Sequence, residues 1–222
     1  MILYTVKDGV YYNLSDFKAD LFDLGENGFP NKIYINLTNR CSCSCTFCLR
    51  SLKEFNEHNS LWLKEEPTVE QVKEEFLKYD WSHVAEIIFC GFGEPTMRLD
   101  DLCEIGAWLK EMHREIPIRL NTNGLAELVF EKPVAPVLEG IIDTVSISLN
   151  SSDAQKYLEV TRNRFGLKSY DAMLEFAKSC QKYIPNVVMT VVDIIGEEEV
   201  AKCQKVCDDH GLFLRVRPYE AN

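Results

Sequence analysis

No apolar run in this chain approaches the roughly 20 residues that a membrane-spanning helix requires, so no such helix is expected within it. The opening stretch MILYTVKDGVYYNLSD lacks the basic-then-apolar order of a secretory signal, and a cytoplasmic location is the expectation. Positive charge is also short. Lys and Arg number 24 against 35 Asp and Glu, for a net charge of -11. A broad nucleic-acid-binding face, which needs clustered cations, is therefore not expected, although Arg162, Arg164 and Lys168 make a local basic spot. An even set of cysteines is missing too. The nine present are an odd number, and in a reducing compartment they argue against a disulfide framework. There is no internal repeat, low-complexity tract or sign of a second domain.

What the chain does have is alternation. Around Asp8-Gly9 the first residues read as a β-hairpin, followed by a connector from Gly25 to Pro30. Lys32 to Thr38 alternates with period two and leads into a cysteine loop. A helix is expected to open at Thr68, with Gln71 as its capping-box partner, and to run to about Lys78. Strands are then expected at Glu86 to Cys90, Pro117 to Asn121, Asp143 to Leu149, Asn186 to Asp193 and Leu212 to Arg217. Helices fall at Leu102 to His113, Tyr170 to Lys182 and Glu198 to His210, and a poorly periodic stretch surrounds Pro133 and Pro136. Strands alternating with helices imply parallel pairing through right-handed crossovers. The length suits a partial (β/α)6 barrel, since a complete eight-unit barrel takes about 250 residues. The expected organisation is an α/β fold with a hairpin and connector over 1–30 and one core domain over 31–222.

The strands also alternate between faces. Val145, Ile147 and Leu149 share one face, and Ser146, Ser148 and Asn150 the other. The same split sets Tyr34, Asn36 and Thr38 against Ile33, Ile35 and Leu37, Arg119 and Asn121 against Ile118 and Leu120, and Arg215 and Arg217 against Leu214 and Val216. A polar inner face under covering helices suggests a ligand cavity. The inward arginines suit either an anionic substrate group or structural ion pairs.

Chemistry concentrates in NLTNRCSCSCTFCLRS, where Cys41, Cys45 and Cys48 have the spacing C-x3-C-x2-C. Three thiolates from one loop can bind three irons of a 4Fe-4S cluster and leave the fourth open. A zinc site is the alternative, but no second Cys or His pair follows at finger-like spacing. Cys43 breaks the spacing and is expected to point away. After the second strand comes Cys90-Gly-Phe-Gly-Glu-Pro-Thr96, a tight turn whose glycines allow close backbone approach.

With the aromatic Phe47 before Cys48 and the G-x-G-E-P turn in its place, the sequence resembles the radical S-adenosylmethionine superfamily. The resemblance implies a six-unit partial barrel with a 4Fe-4S cluster on Cys41, Cys45 and Cys48 and S-adenosylmethionine on the open iron. It implies that Gly93 and Glu94 meet the methionine amino group, and that Asn123, Ser148 and Asn150 meet ribose and carboxylate. Arg162 would pair with the carboxylate, and Val192 to Gly196 loosely matches an adenine-contacting stretch. It further implies a low-potential electron donor of flavodoxin or ferredoxin type, reductive cleavage of the cofactor and hydrogen abstraction from an unknown substrate. CTFCLRS, FCGFGEPTMRL, RLNTNG, VSISLNSSDAQKY and RVRPYE are similar to the TatD-associated members, which hints at a functional link to a TatD-type hydrolase.

A small enzyme of the 7-carboxy-7-deazaguanine synthase kind and a non-catalytic iron-sulfur electron carrier stand as alternatives. Glycyl-radical activases have further signatures that are not recognised here. Cys103 and Cys180 are read as packing residues, and Cys203 with Cys207 as one face of a helix. Cys90 adjoins the expected pocket, while His83, His113 and His210 need no function. Trp62 either covers the site or anchors its segment.

Overall fold

The structure is a computed structural model, and it describes residues 1–7, 9–16, 32–52, 60–79, 81 and 84–219. The connector from Gly25 to Pro30 and His83 lie outside these residues. Strands β1 (Leu3–Lys7) and β2 (Val10–Asn13) form the expected hairpin, with Gly9 at φ +75° in its turn. Then follow β3 (Lys32–Ile35), α1 (Leu49–Leu52), α2 (Val69–Phe76), β4 (Glu86–Phe89), α3 (Leu99–Met112), β5 (Ile118–Thr122) and α4 (Ala126–Phe130). The chain continues through β6 (Thr144–Ser148), α5 (Ala154–Thr161), α6 (Lys168–Cys180), β7 (Asn186–Val192), α7 (Glu197–His210) and β8 (Phe213–Arg217).

Among the described residues the strands join one eight-stranded sheet in the order β2-β1-β3-β4-β5-β6-β7-β8. Neighbours from β3 to β8 pair in parallel, and β1 pairs antiparallel to β3 through Leu3↔Ile35 and Tyr4↔Tyr34. The hairpin thus extends the barrel wall at the β3 edge.

The apolar faces of β3 to β7 turn toward the helices, whereas Val216 of β8, expected on the same face as Leu214, is 43% exposed. Ile33, Ile35, Ile87, Leu120, Val145, Ile147 and Met189 are all buried, and each such side chain contributes about 1.5–3 kcal/mol by leaving water. Helix α2 starts where expected. The Thr68 hydroxyl accepts from Gln71 N–H at 3.2 Å and Gln71 Oε1 from Thr68 N–H at 2.9 Å, while Val69, Val72 and Phe76 face the core. Helix α5 was not foreseen. Asp153 caps it by accepting from Lys156 N–H at 2.9 Å, and its buried Tyr157 and Thr161 are too few to give a clear apolar stripe. Cys180, Cys203 and Cys207 are fully buried packing residues, and the half-buried Cys103 thiol reaches the Val137 carbonyl at 3.7 Å.

Candidate cluster and cofactor site

The cysteine loop leaves the C-terminal end of β3 and is held by the end of α5. Ser44 N–H donates to Thr161 O at 2.9 Å, Thr46 N–H to Val160 O at 2.8 Å, and Arg164 N–H to Ser42 O at 3.2 Å. Cys41, Cys45 and Cys48 are half-buried free thiols. Cys43, in contrast to expectation, does not point out of the loop. It is 3% exposed, and its thiol hydrogen-bonds the sulfurs of Cys41 and Cys45 because the loop folds around it. That hydrogen bond, opposed by burial, brings the Cys41 thiol down to about 7 and lowers Cys45 as well, while Cys43 itself is pushed up. Burial raises Cys48. Two of the three thiols of the motif are therefore biased toward the thiolate, the form that binds metal.

Among the described residues no three Cys, His, Asp or Glu side chains gather closely enough to hold a single metal ion. A zinc site would need its donors about 2.3 Å from one point. A 4Fe-4S cluster gives each thiolate its own iron, so thiols spread along one loop match it. The donor set fits the cluster.

The GFGEP turn packs against this loop. Glu94 N–H donates to Arg40 O at 2.8 Å. A Cβ on Gly93 would stand 2.3 Å from Thr38 O and 2.7 Å from Arg40 O, so only glycine permits that approach. The Glu94 carboxylate is buried, which raises its pKa, but four donors oppose the shift. They are Asn123 N–H at 2.7 Å, the hydroxyls of Thr122 at 2.7 Å and Thr96 at 2.8 Å, and Thr96 N–H at 3.2 Å. Asn123 Nδ2 in turn donates to Ser42 Oγ at 3.2 Å and reaches the sulfurs of Cys43 at 3.6 Å and Cys41 at 3.8 Å. Glu94 and Asn123 thus tie the ends of β4 and β5 to the cysteine loop. The Tyr157 hydroxyl is buried beside these groups and makes no hydrogen bond among the described residues.

Next to the loop opens a cavity of about 510 Å³. Phe47, Cys48, Ser148 and Asn150 line it, as do Val192 and Ile194 from the loosely matched stretch. Asn150 holds φ at +62°, which Asn tolerates better than most residues. Cys41, Cys45, Gly93, Glu94 and Asn123 are not among the residues that line the cavity. Arg162 is exposed and outside the wall. Its backbone, at φ +46°, caps α5. Arg50, which the motif reading passed over, lines the cavity, and its charge favours the thiolates of Cys41, Cys45 and Cys48. Its signal was simply a cation two residues after the last cysteine. Trp62 is 57% exposed, and the anchors of its segment are the buried Leu61 and Leu63. Cys90 also lines the cavity, and its carbonyl accepts from Tyr4 Oη at 3.3 Å.

Residues 35–205 match the family model described as the Radical SAM superfamily. GTP 3′,8-cyclase of Corynebacterium glutamicum (strain R) is 29% identical over 82% of this chain and 47% of its own length. A protein of Methanocaldococcus jannaschii, described provisionally as a glycyl-radical enzyme activating enzyme, is 29% identical over 87% of this chain and 78% of its own. The chain thus spans about half the length of the cyclase it matches. Among solved structures, anSMEcpe with bound AdoMet has a TM-score of 0.58 at 19% identity, covering 83% of this chain and 50% of that one. Methylornithine synthase has a TM-score of 0.58 at 15% identity, covering 84% and 52%. These two likenesses establish the fold. With the family model spanning strand β3 to helix α7, the chain belongs to the radical S-adenosylmethionine superfamily, and its cofactors are a 4Fe-4S cluster and S-adenosylmethionine.

Proposed function

We propose that this chain cleaves S-adenosylmethionine reductively and abstracts a hydrogen atom from a substrate held in its cavity. The observation that carries this reading is a three-thiol loop whose Cys48 lines a cavity of about 510 Å³ with a polar strand face. Cys41, Cys45 and Cys48 would hold the cluster, which with the cofactor would supply one-electron radical chemistry. The protein holds the parts in place. Glu94 fixes the cysteine loop against β5, and Thr46 and Ser44 pin it to α5, so the thiols cannot drift apart. Leu61, Phe92, Val191 and Val192 present apolar surface to the cavity and keep water from a reactive intermediate.

The electron comes, in this reading, from a low-potential donor of flavodoxin or ferredoxin type. Within the superfamily, the local motifs CTFCLRS, FCGFGEPTMRL and RVRPYE favour the TatD-associated group, with a TatD-type hydrolase as a functional neighbour.

The test is anaerobic. Protein reconstituted with iron and sulfide and reduced with dithionite is expected to convert S-adenosylmethionine to 5′-deoxyadenosine and methionine, and Cys45→Ala is expected to abolish conversion. An intact cluster that never cleaves the cofactor would overturn the proposal and favour an electron-transfer role.

A further inference from the structure

The chain carries a net charge of -11, yet its cavity is lined by Lys32, Arg50, Arg119, Arg215 and Arg217 and, among the described residues, by no Asp or Glu. One carboxylate stands behind this wall. Glu86 accepts from Arg119 Nη2 at 2.5 Å and lies 3.7 Å from Lys32 Nζ. Arg119 is therefore the structural ion pair that one reading of the sequence allowed for all the inward arginines. Arg215 and Arg217 are different. Among the described residues neither has a carboxylate within salt-bridge distance, and Arg215 Nη2 donates only to Ser146 Oγ, at 3.3 Å.

Three buried polar atoms around this group have no partner among the described residues: Arg119 Nε, Arg215 Nε and Asn121 Oδ1. Arg119 is 9% exposed, so its free N–H cannot be answered by bulk water. An unpaired buried donor costs about 1–3 kcal/mol. Burial, and then the neighbouring charges of Arg119 and Arg217, pull the Arg215 pKa down, against the smaller opposing effects of Glu86 and Tyr34. Beside the arginines stand aromatic rings from the hairpin and β3. Tyr4 stacks on Tyr34 with centroids 5.0 Å apart, Tyr11 meets Tyr4 edge-on at 5.7 Å, and all three line the cavity.

We infer that Arg215 and Arg217 form the recognition site for an oxyanion, carboxylate or phosphate, on the substrate, whose ring or apolar body lies against Tyr4, Tyr11 and Tyr34. This deepens the proposed function, since it assigns the substrate class of the same cavity. Guanidinium forks pair with both oxyanions in bidentate fashion, and flat tyrosine faces accept a planar body at low entropic cost. The hairpin thereby serves recognition as well as closure.

The experiment is calorimetric titration of the anaerobically reconstituted protein, unreduced, with benzoate, phenyl phosphate and uncharged phenol. At least one anion is expected to bind more tightly than phenol, with or without saturating S-adenosylmethionine. Arg215→Gln and the more exposed Arg217→Gln are each expected to weaken that binding about tenfold or more, the loss of one charge-assisted hydrogen bond. Arg215→Lys, which keeps charge but not the fork, is expected to fall between. Binding no tighter than phenol would overturn the inference, and so would displacement of the anion by S-adenosylmethionine, because the arginines would then serve the cofactor's own carboxylate. The titration involves no cleavage. A protein that binds the anions but never cleaves the cofactor would overturn the proposed function alone.

Discussion

At Arg162 a side chain that the family pattern assigns to the cofactor carboxylate stands in solvent while its backbone does structural work. It ends α5 in the left-handed region at φ +46°, where a side chain costs about 1 kcal/mol relative to glycine. Arg162→Gly is accordingly expected to raise the melting temperature by a few degrees and to leave S-adenosylmethionine affinity unchanged by calorimetry. A tenfold loss of affinity would return Arg162 to the carboxylate. Gly93 makes the opposite case. Gly93→Ala would force a Cβ into the Thr38 carbonyl, and because that neighbour is backbone the loop cannot yield cheaply. A loss of about 2 kcal/mol or more in chemical denaturation is expected, together with poor cluster retention. A variant of wild-type stability would show that the turn has slack.

Helix α7 contributes to the positioning through Glu199, a residue far from the cysteines in sequence. Glu199 Oε1 accepts from Ser152 N–H at 2.9 Å and from the hydroxyls of Ser152 at 2.8 Å and Ser151 at 3.1 Å, and Lys156 Nζ lies 3.1 Å from Oε2. These bonds fasten the turn that presents Asn150 to the cavity. Burial opposes the charge, but the hydrogen bonds from Ser152, Lys156 and Ser151 outweigh it and bring the carboxyl to about 2. The folded value lies below the ordinary glutamate value of about 4.3, so this stabilisation is complete above that pH and fades as pH falls toward 2. Glu199→Gln is expected to cost about 1–2 kcal/mol at neutral pH, and the gap from wild type is expected to close between about pH 4 and 2. A gap independent of pH would contradict the assignment.

At this scale, period and turn chemistry made the hairpin, the β3-to-β8 order and α2 legible, since Asp8-Gly9 and the Thr68–Gln71 box are local signals. Helix α5, the inward turn of Cys43 and the bonds that Ser152 donates to Glu199 were not. Each depends on a partner distant in sequence, such as the bonds from Ser44 and Thr46 to residues 160 and 161. The same limit explains why Arg119 could not be separated from Arg215 and Arg217 before Glu86 was placed beside it.

Over the whole molecule, the core is built by strand faces and helices and owes little to the cluster. The buried set runs from Leu3 to Leu214, and of the cluster loop only Cys43 is fully part of it. Stripping iron with a chelator is therefore expected to leave the far-UV circular dichroism intact and to lower the melting temperature by only the stabilisation that ligand binding adds. A chain that unfolds on losing iron would mark the metal as structural. Cys41, Cys45 and Cys48 would bind three irons of a 4Fe-4S cluster and leave the fourth for S-adenosylmethionine. Electron paramagnetic resonance of the dithionite-reduced, reconstituted protein, recorded with and without S-adenosylmethionine, tests it most directly. The expected result is a reduced 4Fe-4S signal whose g-values shift when the cofactor is added, and which is absent in Cys45→Ala. A cluster signal that the cofactor leaves unchanged would contradict it.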